Sequence, residues 1–222
     1  MKKLLIACLM MEAEVKNALE VTGSDAEVIW MEKGLHDKPE KLRAALQETM
    51  DKAEAETHPD AVLLGYGFCG NAMQGLRAGN YTLVLPRIDD CITLFIGSRE
   101  RKARLEGGVG TMFQTYNWTD ERTILAEKER LYEQYDEDEA EELFDMMFGH
   151  YGRIAVLDTH CYDLAPVVEK TKKAAEALGY DHQVYEGYTD YLKELLTPPW
   201  PEARFIVKEP GETISMQDLW IE

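Results

Sequence analysis

Two short apolar runs constrain the fold of this chain more than any other feature. They span residues 61–64 and 82–85, and their length and β-branched content are typical of buried strands. The first run is followed by the turn sequence GYGFCGN and the second by PRIDDC, so each turn contains a cysteine. Both turns lead into helix-like sequence, which predicts that strands and helices alternate here.

The same alternation extends over the whole chain of 222 residues, a length that fits one domain. We therefore predict a single α/β domain, 1–222, with a Rossmann-like, mostly parallel sheet flanked by helices. Residues 1–118 and 151–222 have a similar order of elements, so they could be two similar halves joined by an acidic helix over 119–148. The polar-aromatic residues 111–118 are expected to form a loop that closes over a site. Further strands are expected at 3–8, 26–31, 153–157, 182–185 and 205–207.

The charge and hydropathy of the chain exclude several classes of partner. Its formal net charge of −18 disfavours nucleic acid and anionic membranes. No stretch approaches the roughly 20 apolar residues that a membrane span needs. The first residues briefly resemble a signal peptide, but the apolar run is short and is followed by Glu12 and Glu14, so we expect a first strand and a cytoplasmic protein. The acidic helix and the four tryptophans could form the surface of a homo-oligomer.

Cysteines end the predicted strands at four places. In a parallel sheet the strand-to-helix junctions share one edge, so cysteines that are distant in sequence can converge there. A nearby helix N-terminus favours thiolate, the form that binds metals, and a site with three protein ligands keeps one position open for a substrate. In the cytoplasm such cysteines are expected to be thiols or metal ligands, not disulfides. We predict that zinc or another transition metal is bound by Cys69, Cys91 and Cys161, whereas Cys8 is a less favoured ligand that simple core packing would also explain.

His160 is a less favoured ligand, because neighbours in a strand point to opposite faces and it could join Cys161 only if the chain turns there. Arg87 could clamp an anionic substrate in a bidentate manner, or form a salt bridge with the adjacent aspartates. Asp89 or Asp90 could also cap the following helix, and Ser98 the next one. The residues predicted to bind a substrate are Arg87, Tyr66, Asn71, Asp90, Ser98 and Tyr162.

The glycines at 65, 67 and 70 have the spacing of a dinucleotide-binding motif, with Asp89 at about the distance of a ribose-binding acid. The following helix is predicted to be short, and Asp89 lies beyond a proline, so this motif is a weak basis for a dinucleotide site.

Four segments together make the chain resemble the family of unknown function DUF1638. They are Ala7-Cys8 with Glu12, GYGFCGN at 65–71, PRIDDC at 86–91 with Gly97-Ser98, and LDTHCYD at 157–163. The resemblance implies a bacterial or archaeal cytoplasmic protein of a family often encoded beside corrinoid-dependent methyltransferase systems. It implies no settled activity, and it assigns no catalytic residue.

Three functions are compatible with these features. The first is a metal-thiolate protein of one-carbon metabolism, a methyltransferase or its accessory protein, whose metal binds a thiol or small anion in an open position. Its partner would be a corrinoid protein or a methyltransferase. The second is a non-catalytic carrier or sensor of a small molecule or corrinoid, although His160 lacks the Asp-x-His-x-x-Gly pattern of corrinoid-binding loops. The third is a thiol redox protein or metallochaperone.

Overall fold

The computed structural model describes residues 1–117 and 123–220. Eight strands are described: β1 (Lys3–Cys8), β2 (Glu27–Met31), β3 (Ala61–Gly65), β4 (Thr82–Pro86), β5 (Gly110–Gln114), β6 (Tyr151–Asp158), β7 (Asp181–Glu186) and β8 (Phe205–Lys208). The described α-helices are α1 (Glu12–Thr22), α2 (Pro39–Thr57), α3 (Cys91–Ile96), α4 (Arg99–Glu106), α5 (Ile124–Gln134), α6 (Glu137–Phe148), α7 (Leu164–Leu178) and α8 (Asp190–Leu196).

These elements form two compact units. The first unit contains Met1–Ser98 and Tyr188–Glu222, and the second contains Arg99–Gly187. The second unit is therefore inserted between two segments of the first, and these boundaries differ from the possible halves 1–118 and 151–222.

The first unit is built on a five-stranded sheet with the order β2-β1-β3-β4-β8. Its first four strands are parallel, and β8 pairs antiparallel with β4. The chain adds β2 on one side of β1 and β3 on the other, so the strand order reverses between β1 and β3. Ligands of open α/β sheets bind at such a switch point, outside the carboxyl ends of the strands.

Burial explains why these residues form these elements. All five residues of β3 are buried, as expected for a central parallel strand covered on both faces. Helix α2 begins at Pro39, a favoured first helical residue. Its buried face repeats at helical spacing and consists of Leu42, Leu46, Met50 and Ala53. The mostly parallel, Rossmann-like α/β class predicted from the sequence is confirmed.

The second unit contains a parallel three-stranded sheet with the order β5-β6-β7. The expected loop over 111–118 is incorrect for its first half, because residues 111–114 belong to β5 and pair with β6. Phe113 and Gln114 are buried there, so tertiary pairing outweighs the polar composition. Residue 118 lies outside the described residues.

The acidic segment forms two helices, α5 and α6, where one was expected over 119–148. The break follows from Asp136, whose carboxylate accepts a hydrogen bond from the Glu139 amide at 3.0 Å and so starts a new helix. Three acidic residues in the first turn of α6 suit the positive end of its dipole. Residues 119–122 lie outside the described residues. The two helices share an apolar cluster of Ile124, Leu131, Ala140 and Phe144.

No helix within residues 1–117 and 123–220 combines the length and the apolar character needed to cross a membrane.

Candidate functional site

Three of the four cysteines lie at the carboxyl edge of the sheet in the first unit. Cys8 is the last residue of β1, Cys69 follows β3, and Cys91 follows β4 as the first residue of α3. Tyr66, directly after β3, lies among them. We call Cys8, Tyr66, Cys69 and Cys91 the thiol cluster. It lies beside the switch point between β1 and β3.

Cys69 and Cys91 are in direct contact, with 3.6 Å between their Sγ atoms. Their loops are joined by two backbone hydrogen bonds: Phe68 N–H donates to Ile88 C=O at 2.8 Å, and Cys69 N–H donates to Asp89 C=O at 2.9 Å. The contact of two of the predicted ligands therefore comes from pairing between the loops that follow β3 and β4.

Gly67 permits this pairing. A Cβ atom at this position would lie 2.6 Å from both the Cα and the carbonyl carbon of Asp90. Real Cβ atoms do not approach backbone this closely, so any other residue would push the two loops apart. The absence of a side chain at Gly67 therefore allows the loops that follow β3 and β4 to pack closely against each other.

Asp90 fixes the position of Cys91. Its carboxylate accepts hydrogen bonds from the Thr93 amide at 2.7 Å and the Thr93 hydroxyl at 2.8 Å, which confirms it as the N-cap of α3. Residues 69–75 form turns, not the short helix that the sequence suggested after Cys69. Only Cys91 is therefore held at the start of a helix by a side-chain cap within this cluster.

The expectation that thiolate is favoured here is wrong for two of the cysteines. The hydrogen bond with Cys69 and burial raise the pKa of Cys91 well above its ordinary value, while the Gly67 amide opposes the shift. Some surface of the Cys91 residue remains accessible, although protein surrounds its sulfur densely. Burial raises the pKa of Cys8, against a smaller lowering effect of Lys33. Both are neutral thiols at neutral pH, so a bound cation would have to displace their protons.

The Tyr66 side chain is 2% exposed, and its hydroxyl lies beside Cys8. The hydroxyl has the Cys8 thiol as its hydrogen-bonding neighbour, although the geometry of this contact is not ideal. Burial raises the pKa of Tyr66, and the charges of Cys8, Cys91 and Cys69 raise it further. The hydroxyl is therefore a protonated donor within electrostatic reach of all three thiols.

Three other residues that were predicted to bind a substrate belong to the first unit but are not part of the thiol cluster. The guanidinium of Arg87 donates to the backbone carbonyls of Glu202 at 3.0 Å and Asp218 at 2.8 Å, so it ties down the C-terminal segment. Asn71 is exposed and has a φ of 65°, and its carbonyl accepts a hydrogen bond from Arg43 at 3.0 Å. Ser98 is the last residue of the first segment of this unit.

The remaining predicted residues belong to the second unit, at the end of β6. The Cys161 thiol donates to the Thr159 carbonyl at 3.2 Å. The chain does turn at His160, which has a φ of 57° and whose ring contacts Glu186 at 2.9 Å and Asp158 at 3.3 Å. Tyr162 donates to the Leu157 carbonyl. Its ring stacks on Tyr116, with 5.5 Å between the ring centroids.

Among the described residues, no group of three or more His, Cys, Asp or Glu side chains is arranged to hold a metal ion. The structure brings Cys69 and Cys91 together, and the ligand role of Cys161 stays a prediction. The sequence reasoning missed Lys33, whose charge acts on Cys8. Its position just after β2, at the same edge of the sheet, is the signal that could have identified it.

His160 should titrate above the ordinary histidine range. The hydrogen bond with Glu186 and the charge of Asp158 raise its pKa, so any stability that these contacts contribute is present at low pH and lost as pH rises through the folded-state pKa. Glu186→Gln should lower the titration midpoint of His160, which NMR measures from the ring chemical shifts as the pH changes. His182, whose pKa is lowered by burial, is the internal control and should titrate below His160. If Glu186→Gln leaves the titration midpoint of His160 unchanged, the hydrogen bond with Glu186 is not what raises the pKa of His160.

The fold and the cluster define a Rossmann-like α/β protein with thiols beside the switch point of its sheet. Residues 30–196 match the family model described as "Protein of unknown function (DUF1638)", and the chain belongs to this family. No curated protein and no solved structure matches the chain.

Proposed function

We propose that this protein binds a thiophilic transition-metal ion, such as Zn²⁺, through Cys69 and Cys91. The observation that carries the proposal is the 3.6 Å separation of their sulfur atoms. Two thiolates bound at about 2.3 Å to a tetrahedral ion lie about 3.8 Å apart, so the pair would need little movement to become two ligands. Cys8 is a candidate for a third ligand, since it lies at the same edge of the sheet and is electrostatically coupled to Cys91 and Tyr66.

A metal with two or three protein thiolates has coordination positions left for a small molecule. A thiol bound there would lose its proton and become the nucleophile that methyl transfer requires. The link to one-carbon metabolism, with a corrinoid protein or methyltransferase as partner, remains a prediction from the resemblance alone.

The same sulfur contact favours a second candidate, a reversible dithiol–disulfide couple. Disulfide formation would bring the sulfur atoms to about 2.05 Å, from their present 3.6 Å. Each thiol would lose its proton, and two electrons would pass to an oxidant such as a low-molecular-weight disulfide.

Metal titration of reduced, untagged protein separates these candidates. We expect about one equivalent of Zn²⁺ to bind in competition with a chromophoric chelator. Cys69→Ser and Cys91→Ser should each weaken binding by at least tenfold, because each removes one of two thiolate ligands. Cys8→Ser and Cys161→Ser, measured in the same way, identify any further cysteine ligand.

Circular dichroism of each serine variant checks that the fold is retained. Zinc affinity unchanged in both Cys69→Ser and Cys91→Ser would contradict the metal site. Loss of two titratable thiols on mild oxidation, in protein that binds no metal, would support the redox role instead.

A further inference from the structure

We infer that the second unit binds a small organic anion, a carboxylate with a short apolar chain, in a cavity beside its three-stranded sheet. The cavity has a volume of about 350 Å³, within the range of pockets that enclose small ligands, about 300–1,000 Å³. It is formed by β5, β6, α7 and the first residues of α5, which all belong to this unit. None of the described residues that line it is a cysteine, so binding here requires no metal at Cys69 and Cys91.

Five side chains give the cavity an apolar wall. They are Ile154 of β6, Ile124 and Leu125 of α5, and Pro166 and Ala174 of α7. Ile154 and Ile124 are buried in the unit. Removal of apolar surface from water is the main favourable contribution for a ligand that enters such a space. The wall therefore fits the hydrocarbon part of a ligand.

A buried glutamine adds a polar group to the same cavity. Gln114 is 3% exposed and ends β5, where neighbouring side chains point to opposite faces of the sheet. The Phe113 ring packs against Tyr185, with 6.4 Å between the centroids, whereas Gln114 lines the cavity with Ile154. No residue within 1–117 and 123–220 hydrogen-bonds to the Gln114 side-chain amide. Buried amides almost always have a partner, so this one is suited to hydrogen-bond a ligand.

Helix α5 begins at the cavity. Thr123 is its N-cap, and the Thr123 hydroxyl accepts a hydrogen bond from the Ala126 amide at 3.0 Å. The first backbone hydrogen bond of the helix runs from the Glu127 amide to the Thr123 carbonyl at 3.0 Å. The amides of Ile124 and Leu125 precede it and have no partner inside the helix. This positive end of the helix dipole favours an anionic group nearby.

The charged side chains that line the cavity also favour an anion. They are Lys170, Lys173 and Glu169, two positive and one negative, which gives +1 in a chain whose formal net charge is −18. Glu169 and Lys173 form an exposed ion pair at 2.7 Å. Each lysine has three donor hydrogens, so a ligand carboxylate can join this arrangement without breaking the pair. The lysines and the start of α5 would select the charge of the ligand, and the apolar wall its chain.

Methyl NMR of the full chain, titrated with hexanoate and with hexanamide, tests this site. The two ligands have the same chain, but hexanamide has no charge. We expect hexanoate to shift the methyl signals of Ile124 and Ile154 and to leave that of Ile6, in the first unit, unchanged. Hexanoate should bind at least about threefold more tightly than hexanamide, because it adds interactions with the lysines and the helix dipole.

Two variants test the polar groups. Gln114→Leu should weaken hexanoate binding about tenfold, the size expected for a hydrogen bond to a charged group. Its denaturation midpoint should stay the same or rise, because a buried amide without a protein partner is removed. Lys170→Gln combined with Lys173→Gln should reduce the preference for hexanoate over hexanamide. Lys172→Gln, at an exposed lysine of the same helix outside the cavity lining, is the matched control and should keep the wild-type preference.

Equal affinity of the wild type for hexanoate and hexanamide, or equal shifts in both units, would overturn the inference, and this comparison needs no variant to fold. A lower denaturation midpoint in Gln114→Leu with unchanged hexanoate affinity would also overturn it, because the amide would then stabilise the fold and not a ligand. These results are independent of the zinc titration, which depends on cysteines of the first unit.

Discussion

Gly67→Ala should destabilise the first unit and separate Cys69 from Cys91. The new Cβ atom would lie 2.6 Å from backbone atoms of Asp90, which cannot rotate away as a side chain can. The loops must then move apart, and the hydrogen bonds Phe68 to Ile88 and Cys69 to Asp89 would lengthen from their present 2.8 and 2.9 Å. We expect a loss of about 1–3 kcal/mol in the free energy of unfolding, the usual cost of overpacking.

Denaturant unfolding measures the loss of stability, and chelator competition measures zinc affinity, which should fall by at least tenfold if the sulfur contact is what binds the metal. Gly152→Ala is the control. Its Cβ atom would meet only the Val109 side chain, at 3.3 Å, so its free energy of unfolding should change by less than about 1 kcal/mol. Wild-type stability and wild-type zinc affinity in Gly67→Ala would show that the loops do not depend on this close approach.

Much of the fold could be predicted because apolar runs identify buried strands independently of their partners. The runs at 61–64 and 82–85 are the strands β3 and β4, and they pair in parallel as this fold class predicts, although turns and not a helix connect them. The run at 205–207 was also predicted as a strand, but its antiparallel pairing with β4 could not be. The direction of an edge strand depends on the path of the returning chain, which local sequence does not specify.

Where the observed bounds of the elements and units differ from the predicted ones, the differences have identifiable physical causes. The helix predicted over 119–148 is divided where the Asp136 carboxylate caps α6, a contact that residue spacing alone does not reveal. Residues 111–114 are polar enough to resemble a loop, yet pairing with β6 makes them a strand. The insertion of the second unit depends on contacts between Met1–Ser98 and Tyr188–Glu222, which are far apart in sequence.

The candidate site could be predicted in position but not in chemistry. Strand-end placement was enough to bring Cys69 and Cys91 to the same edge of the sheet, where they are in contact. Helix N-termini were expected to favour thiolate, but the hydrogen bond with Cys69 and burial raise the pKa of Cys91, although it is the first residue of a helix. The close approach at Gly67 and the position of the Tyr66 hydroxyl beside Cys8 depend on distances between loops, and no spacing in the sequence encodes them.

Zinc binding should weaken steeply as the pH falls from 8 to 6.5, because the metal must displace thiol protons. The raised pKa of Cys91 means that this thiol is protonated throughout that range, so its ionisation releases a proton each time a metal ion binds. Each released proton makes the apparent dissociation constant rise about tenfold for every unit by which the pH falls. We therefore expect at least a tenfold change per pH unit from Cys91 alone, and about a further tenfold for every other ligand thiol that loses its proton on binding, Cys8 included if it becomes a ligand.

Chelator competition at several pH values, corrected for protonation of the chelator, gives this slope, and calorimetry in buffers of different ionisation enthalpy counts the protons directly. Cys91→Ser should have a slope shallower by about one proton, because serine has no thiol proton to release. Cys161→Ser, measured in parallel, should retain the wild-type slope if Cys161 is not a ligand and lose about one proton if it is. A slope near zero in the wild type would mean that no neutral thiol ionises on binding, which is incompatible with Cys91 as a ligand at its raised pKa.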